Sequence, residues 1–405
     1  MAKKVFMSCG ELSGENHALG VVKELQASNP ELGLYAFGSD QLKEQGVTLL
    51  EDYKEYSFSG ITEVVANLSK ILKVQETLLT KLEDLKPDIV LLVDYGGFNL
   101  ELAKRIKASV KLKETKILEF IAPQLWASRP WRIKKVKASI DKVLCTLPFE
   151  EELYKKQGIP VTYVGNPVLP SLPPKTDKAE LLNGLPRRSE ATPHNDRNPV
   201  LIGVFPGSRK SEIKEMLPRM LRAARELSEE MPSTKFKFLV SKAPSISYEL
   251  FKKHGIEDYQ DIVEVLDPEL ENANHKLLSA ADALWLCSGT VTLEAALYET
   301  PYFLAYRSNF LNYLIYSMLR IGEMAGLANI IQGRYIVKEF LQYDATVENF
   351  KKETRLWLRQ DSPAAFTGYY YETRHKLSKL RDKLSGYDSY KLVAEEIATL
   401  VRASQ

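Results

Sequence analysis

Short apolar runs alternate along the chain with longer stretches in which apolar residues return every three or four positions. The first pattern is that of buried strands and the second that of helices with one buried face. Strands are predicted at Lys4–Ser8, Leu34–Phe37, Asp88–Val93, Lys116–Ile121, Lys142–Thr146 and Thr162–Val164. A second series is predicted at Val200–Phe205, Lys235–Val240, Ile262–Val265, Ala283–Cys287 and Tyr302–Tyr306. Helical periodicity fills the gaps at Asn16–Ser28, Leu68–Leu85, Glu150–Gln157, Glu212–Glu230, Leu293–Tyr298 and Phe310–Leu319. Such alternation predicts an α/β chain of two Rossmann-like domains, each a doubly wound parallel sheet flanked by helices.

Prolines interrupt the pattern from Pro167 to Pro199, with a polar stretch at Arg187 to Asn198. The expected division is therefore a domain over 1–168, a linker over 169–199, a domain over 200–360 and charged helices over 361–405. The final helix, Tyr390–Arg402, is a candidate to cross back to the first domain.

In open sheets of this kind ligands bind beyond the carboxyl ends of strands, so the residues there come next. In PVLIGVFPGSRKSEI a buried run ends on Gly207, and Ser211 and Glu212 suit the start of a helix. Unpaired N–H groups at the positive end of a helix favour an anion such as a diphosphate. Gly207, Ser208 and Arg209 are the candidate contacts, Arg209 being always charged and shaped to grip two oxygens. A second junction follows at Ser288, Gly289 and Thr290, with Glu294 one turn above Thr290 and suited to accept from two ribose hydroxyls. Each junction read alone is equally a plain connection, and Glu294 a surface acid; the pair suggests a nucleotide across strand ends.

In the first half, Gly10 and Gly14 open a helix with Glu11, Ser13 and Glu15 beside them, although GxGxxG and Walker A patterns are missing. Asp94 ends the run DIVLLVD, where apolar surroundings should hold its pKa up and suit it to general-base work; helix capping is the alternative. His17 is a rival base or a structural residue. The segment WASRPWRIKKVK, from Trp126 to Lys137, interleaves Trp126 and Trp131 with Arg129, Arg132, Lys134, Lys135 and Lys137, which suits an anionic lipid surface or a solvated helix face. Leu68–Leu85 reads as core packing or a membrane-facing flap.

Composition narrows the classes. The chain has 405 residues, 44% hydrophobic and 27% charged, enough for two ordinary cores. A formal net charge of +2 gives no general reason to expect nucleic acid. Cys9, Cys145 and Cys287 are widely separated and the five histidines form no HExxH, so neither disulfides nor a metal site is expected, and a reduced cytoplasmic setting is. No signal-peptide pattern opens the chain and no apolar run has the length of a membrane span.

In order, several segments resemble the lipid-A-disaccharide synthase family of inverting GT-B glycosyltransferases. They are Gly10-Glu11-Leu12-Ser13-Gly14, Lys86–Asn99, Ala122–Arg129, Leu147–Glu150, Tyr163–Pro167, Phe205–Ile213, Cys287–Leu297, Thr300–Arg307 and Leu327–Ile331. The resemblance implies a GT-B fold and transfer of 2,3-diacylglucosamine from its UDP donor to the 6-hydroxyl of 2,3-diacylglucosamine 1-phosphate (lipid X), with inversion and without metal or cofactor. By the same resemblance Asp94 is the base, Gly207, Ser208, Arg209, Ser288, Gly289, Thr290, Glu294 and Asn329 hold the nucleotide, and Gly10, Glu11, Ser13, Gly14, Glu15, Asn99 and Trp126 line the acceptor side. It also implies a peripheral place on the cytoplasmic face of the inner membrane; a second copy of the chain is a further candidate partner. The family's D-x-PDFN stands here as Asp94-Tyr95-Gly96-Gly97-Phe98-Asn99. Another UDP-sugar transferase or epimerase with a different acceptor, or a non-catalytic membrane-associated homologue, would share the nucleotide half.

Overall fold

The computed structural model describes residues 3–55, 68–123, 125–126, 130–185, 199–267, 269–307, 323–359 and 366–403. The predicted Phe310–Leu319 helix, Arg129 and the Arg187–Asn198 stretch lie outside them. The chain divides into two units, Met1–Pro170 with Gly386–Gln405, and Ser171–Ser385.

The first unit is built on β1 (Lys4–Cys9), β2 (Gly33–Gly38), β3 (Thr48–Asp52), β4 (Ile89–Val93), β5 (Lys116–Phe120), β6 (Lys142–Cys145) and β7 (Val161–Tyr163). All pair in parallel, in the order β3-β2-β1-β4-β5-β6-β7. Every residue of β4 is buried, as a central strand covered on both faces must be. Side chains alternate between two apolar layers: Val5 and Met7 join one with the helix Leu12–Ser28, and Phe6, Val90 and Leu92 join the other with the helices Leu68–Leu85 and Gly96–Ala108. Each such buried aliphatic side chain contributes about 1.5–3 kcal/mol, so the two layers dominate the stability of the unit. The helix Ser389–Ala403 completes the first layer with Val393, Ile397 and Val401.

The second unit is built on β8 (Val200–Phe205), β9 (Phe236–Val240), β10 (Val263–Val265), β11 (Ala283–Cys287), β12 (Tyr302–Tyr306) and β13 (Lys338–Leu341), again all parallel, in the order β10-β9-β8-β11-β12-β13. Trp285, Phe303, Phe350 and Trp357 stack at its centre, and the Trp285 indole N–H donates to Thr354 Oγ1 at 3.0 Å.

Two differences from the sequence reading are informative. Residues 171–185, given to a linker on proline content, belong to the second unit. Thr176 N–H donates to Ser279 Oγ, Lys178 pairs with Asp282 at 2.8 Å and Tyr298 OH donates to the Pro173 carbonyl. Pro173 and Pro174 mark an irregular stretch that still packs, and the helix Lys178–Gly184 follows it. The edge strands β3 and β13 were not predicted, because TLLED and KEFL are short and half polar.

Candidate functional site

In each sheet the chain reverses its winding between two central strands, and the loops after those strands diverge to leave a crevice. The reversal lies between β1 and β4 in the first unit and between β8 and β11 in the second. Register brings Cys9 beside Val93, and Phe205 beside Leu286. The residues immediately following are Gly10-Glu11 and Asp94 in one unit, and Pro206-Gly207-Ser208-Arg209 and Ser288-Gly289-Thr290 in the other.

Asp94 and Tyr95 both take φ +51°, a left-handed conformation that costs a non-glycine residue roughly 1–2 kcal/mol. Three contacts hold this turn. Asp94 N–H donates to the Phe120 carbonyl at 3.0 Å, and Asn99 Nδ2 donates to the Asp94 carbonyl at 2.7 Å. Ser8 Oγ donates in turn to Asn99 Oδ1 at 2.7 Å. The Tyr95 ring lies so close over Gly10 that a Cβ there would come within 1.8 Å of it. Burial pushes the Asp94 carboxyl up, while a hydrogen bond from the Tyr95 backbone draws it down. At the opening of the helix Leu12–Ser28, Glu11 is exposed as a residue but its carboxyl is partly desolvated, which pushes it up, as does the charge of Asp94.

The expected acceptor-side set separates into two groups. Glu11 and Ser13 are exposed, Gly14 lies against Val93 and Asp94, and half-buried Trp126 packs edge-on to Phe149. Glu15 and Asn99 do not line an opening. Glu15 is fully buried and accepts from Ser39 N–H, Ser39 Oγ and Tyr53 OH at 2.6–2.7 Å, so it fixes β2 and the turn after β3 to the first helix. Asn99 is equally buried and acts through the Asp94 turn. His17 is half-buried, with Nδ1 3.0 Å from Tyr390 OH and its pKa lowered by burial; it ties the first helix to the last.

In the second unit the backbone N–H groups after β8 are not left unpaired. Glu212 accepts from Ser208 N–H at 2.9 Å and Arg209 N–H at 3.1 Å, and its other oxygen takes Arg209 Nη1 at 2.8 Å. The carboxylate three residues into the Lys210–Glu230 helix thus caps its own N-terminus. Gly207 makes room for it: with φ +116°, a Cβ there would lie 2.6 Å from the Glu212 side chain. The Arg209 side chain is 75% exposed, so its pair with Glu212 contributes under about 1 kcal/mol. Ser288 is half-buried and Gly289 and Thr290 exposed; the Thr290 side chain makes no capping bond. Glu294 is half-buried, its carboxyl pushed up by burial and drawn down by His275. Asn329, expected at the nucleotide, is fully buried. It accepts from Ile336 and Val337 N–H and donates to the Val337 carbonyl and Glu339, which exhausts its side chain within the fold.

Sequence reasoning gave no site role to Glu119, Glu150 or His275. Glu150, in Leu147-Pro148-Phe149-Glu150, accepts from Trp126 Nε1 at 2.9 Å and Leu147 N–H at 3.1 Å, and burial pushes its carboxyl to about 7 against these bonds and one from the Thr146 backbone. An acid at a helix start after an apolar strand was the available signal.

Residues 5–385 match the family model described as Lipid-A-disaccharide synthetase. The chain belongs to that family. It is 34% identical over 360 residues to the lipid-A-disaccharide synthase of Myxococcus xanthus, covering 88% of each protein. With that of Syntrophus aciditrophicus it shares 33% over 408 residues, 100% of this chain and 99% of the relative. Among solved structures, the UDP-GlcNAc 2-epimerase of Neisseria meningitidis bound to UDP-GlcNAc superposes with TM-score 0.60 at 15% identity, covering 98% of this chain and all of that one. Acinetobacter baumannii MurG gives 0.52 at 15% identity, covering 95% and 99%. These two share the fold of paired parallel-sheet α/β domains. Family membership makes this chain an enzyme, a glycosyltransferase of lipid A biosynthesis.

Proposed function

We propose that the chain transfers 2,3-diacylglucosamine from its UDP donor to the 6-hydroxyl of 2,3-diacylglucosamine 1-phosphate, releasing UDP with inversion at the donor carbon. The observation that carries this reading is Asp94, a carboxylate in a strained, braced turn at the reversal point of the first sheet. As the proton leaves the acceptor hydroxyl for Asp94, the oxygen attacks the anomeric carbon and the bond to the diphosphate breaks. The turn keeps the carboxyl where a base is needed, and burial raises its proton affinity above that of an ordinary Asp. In the second unit Arg209 and the N–H groups of Ser208 and Arg209 receive the diphosphate in place of Glu212, Ser288, Gly289 and Thr290 contribute the second loop, and Glu294 accepts from the ribose. An arginine and helix-start N–H groups stabilise the leaving diphosphate directly.

Glu11, Ser13, Gly14 and Trp126 form the acceptor side in this reading. Trp131, 55% exposed, stands beside exposed Lys134 and Lys135, and exposed Leu72 lies on the Leu68–Leu85 helix; both features support docking on an anionic lipid surface. No helix among the described residues is long and apolar enough to cross a membrane. Mass spectrometry of a reaction with both lipid substrates tests the function: a tetraacyl disaccharide phosphate and one UDP per turnover are expected, and free UDP without the disaccharide overturns it.

A further inference from the structure

Glu119 is the one acid inside the otherwise apolar end of β5, and its side chain points into the layer formed by Val143, Cys145 and Tyr154. It is 0% exposed, and neither carboxyl oxygen has a hydrogen-bond partner among the described residues. A carboxylate left bare in such a layer is far more costly than the neutral acid. The backbone around it matters equally: the next residue, Phe120, supplies the carbonyl that holds Asp94 N–H. Beyond it, Pro123 packs within 2.3 Å of where a Cβ on Gly96 would stand. The end of β5 is thus the floor of the strained Asp94 turn.

We propose that Glu119 is a positioning residue for Asp94: it works as the uncharged acid, keeping the β5 end packed beneath the Asp94 turn, and turnover falls when it ionises. This rests on the reading of Asp94 as the base. Among the described residues, the charged and titratable groups facing Glu119 are Asp94 at the end of β4, Cys145 at the end of β6, Arg132 in the turn Pro130–Arg132 and Tyr154 on the helix Pro148–Lys156. Burial and then the negative charge of Asp94 push the Glu119 carboxyl up to about 8, and Arg132 draws it down. The coupling is mutual: Asp94 ionises first, while Glu119 is still neutral, and a charge on Glu119 would in turn disfavour the charge on Asp94. Once ionised, Glu119 must seek Arg132 or water, and any shift it makes is passed through Phe120 to Asp94.

The test compares Glu119→Gln, Glu119→Ala and Arg132→Gln with wild type in kcat and KM from pH 6 to 10, and in urea midpoint over the same range. Wild-type kcat should fall above about pH 8. Glu119→Ala should lose about tenfold in kcat at pH 7 with donor KM unchanged, since a displaced base costs rate rather than binding. Glu119→Gln, neutral at every pH, should restore most of that loss and abolish the alkaline fall. Arg132→Gln should move the fall to higher pH by removing the favourable charge. In the native state Glu119 keeps its proton from the ordinary glutamate range up to about 8, where the unfolded chain has lost it. Its stabilising contribution is therefore whole below pH 4.5 and shrinks as pH rises to about 8, a slope that Glu119→Gln should lack. An alkaline fall that persists in Glu119→Gln, or no difference between Gln and Ala, overturns the proposal while Asp94 stands. A near-normal rate in Asp94→Asn removes the base and this role together, and the urea slopes then show separately whether Glu119 held its proton.

Discussion

The two reversal points share a topology and differ in almost everything else. In the first unit the central group is a half-buried acid, Asp94, in a turn held by buried polar side chains bonded into the sheet: Asp94 to Phe120, Asn99 to Asp94, Ser8 to Asn99. In the second the groups are cationic or N–H donors, mostly exposed, and already satisfied by a local carboxylate, Glu212. Burial raises proton affinity and rigid bonding fixes geometry, which is what proton abstraction needs. Exposure and a weak internal counter-ion suit a ligand that must enter and leave each cycle. In the proposed reaction one crevice reacts and the other exchanges.

Asp94→Asn breaks the contrast most severely. It keeps the turn and removes the base, so kcat should fall about 10²–10⁴-fold with donor KM little changed; steady-state kinetics check this, and a rate near wild type would falsify the role. Gly10→Ala comes next. Its Cβ cannot coexist with the Tyr95 ring, and moving that turn by about 1 Å should cost roughly 10²-fold in kcat without altering UDP affinity. A UDP titration together with kinetics separates the two effects, and an unchanged kcat would show that Tyr95 moves aside freely. Arg209→Ala should act on the other crevice alone, raising donor KM about tenfold through loss of a charge-assisted contact; equal KM values would remove Arg209 from the diphosphate. Glu212→Gln should have the smallest effect, tightening UDP by about threefold because the internal competitor loses its charge while its cap geometry survives. Calorimetry reads that change, and weaker binding would mean that Glu212 organises the loop more than it competes.

Much of this was legible in the sequence. The apolar runs set eleven strands near their observed places, and the motifs at 10–14, 94–99, 205–213 and 287–294 fell at the two reversal points because glycine, acid and helix-start residues cluster where strands end. What stayed hidden was the use of each polar side chain. Glu15, Asn99 and Asn329 sit in the right segments yet spend their hydrogen-bonding capacity inside the fold. Spacing tells which face a residue occupies; it does not tell whether a long-range partner, such as Tyr53 for Glu15, claims it first. Glu212 was read as a good helix-start residue, and its second role as stand-in anion depends on the Gly207 backbone, which no local propensity encodes. Glu119 was passed over because a single acid in a strand scores as noise until the neighbouring strands bury it.

The helix Ser389–Ala403 lies against the first helix through Tyr390 and His17, although the whole second unit is encoded between them. During synthesis the amino-terminal unit leaves the ribosome with one side of its core layer uncovered, and it remains so until the codons for Ser389–Ala403 have been read. The second unit can be complete before the first. A chain stalled or cut short after residue 385 would therefore release a finished carboxyl-terminal unit joined to an amino-terminal one that still exposes apolar surface, the form a quality-control protease recognises.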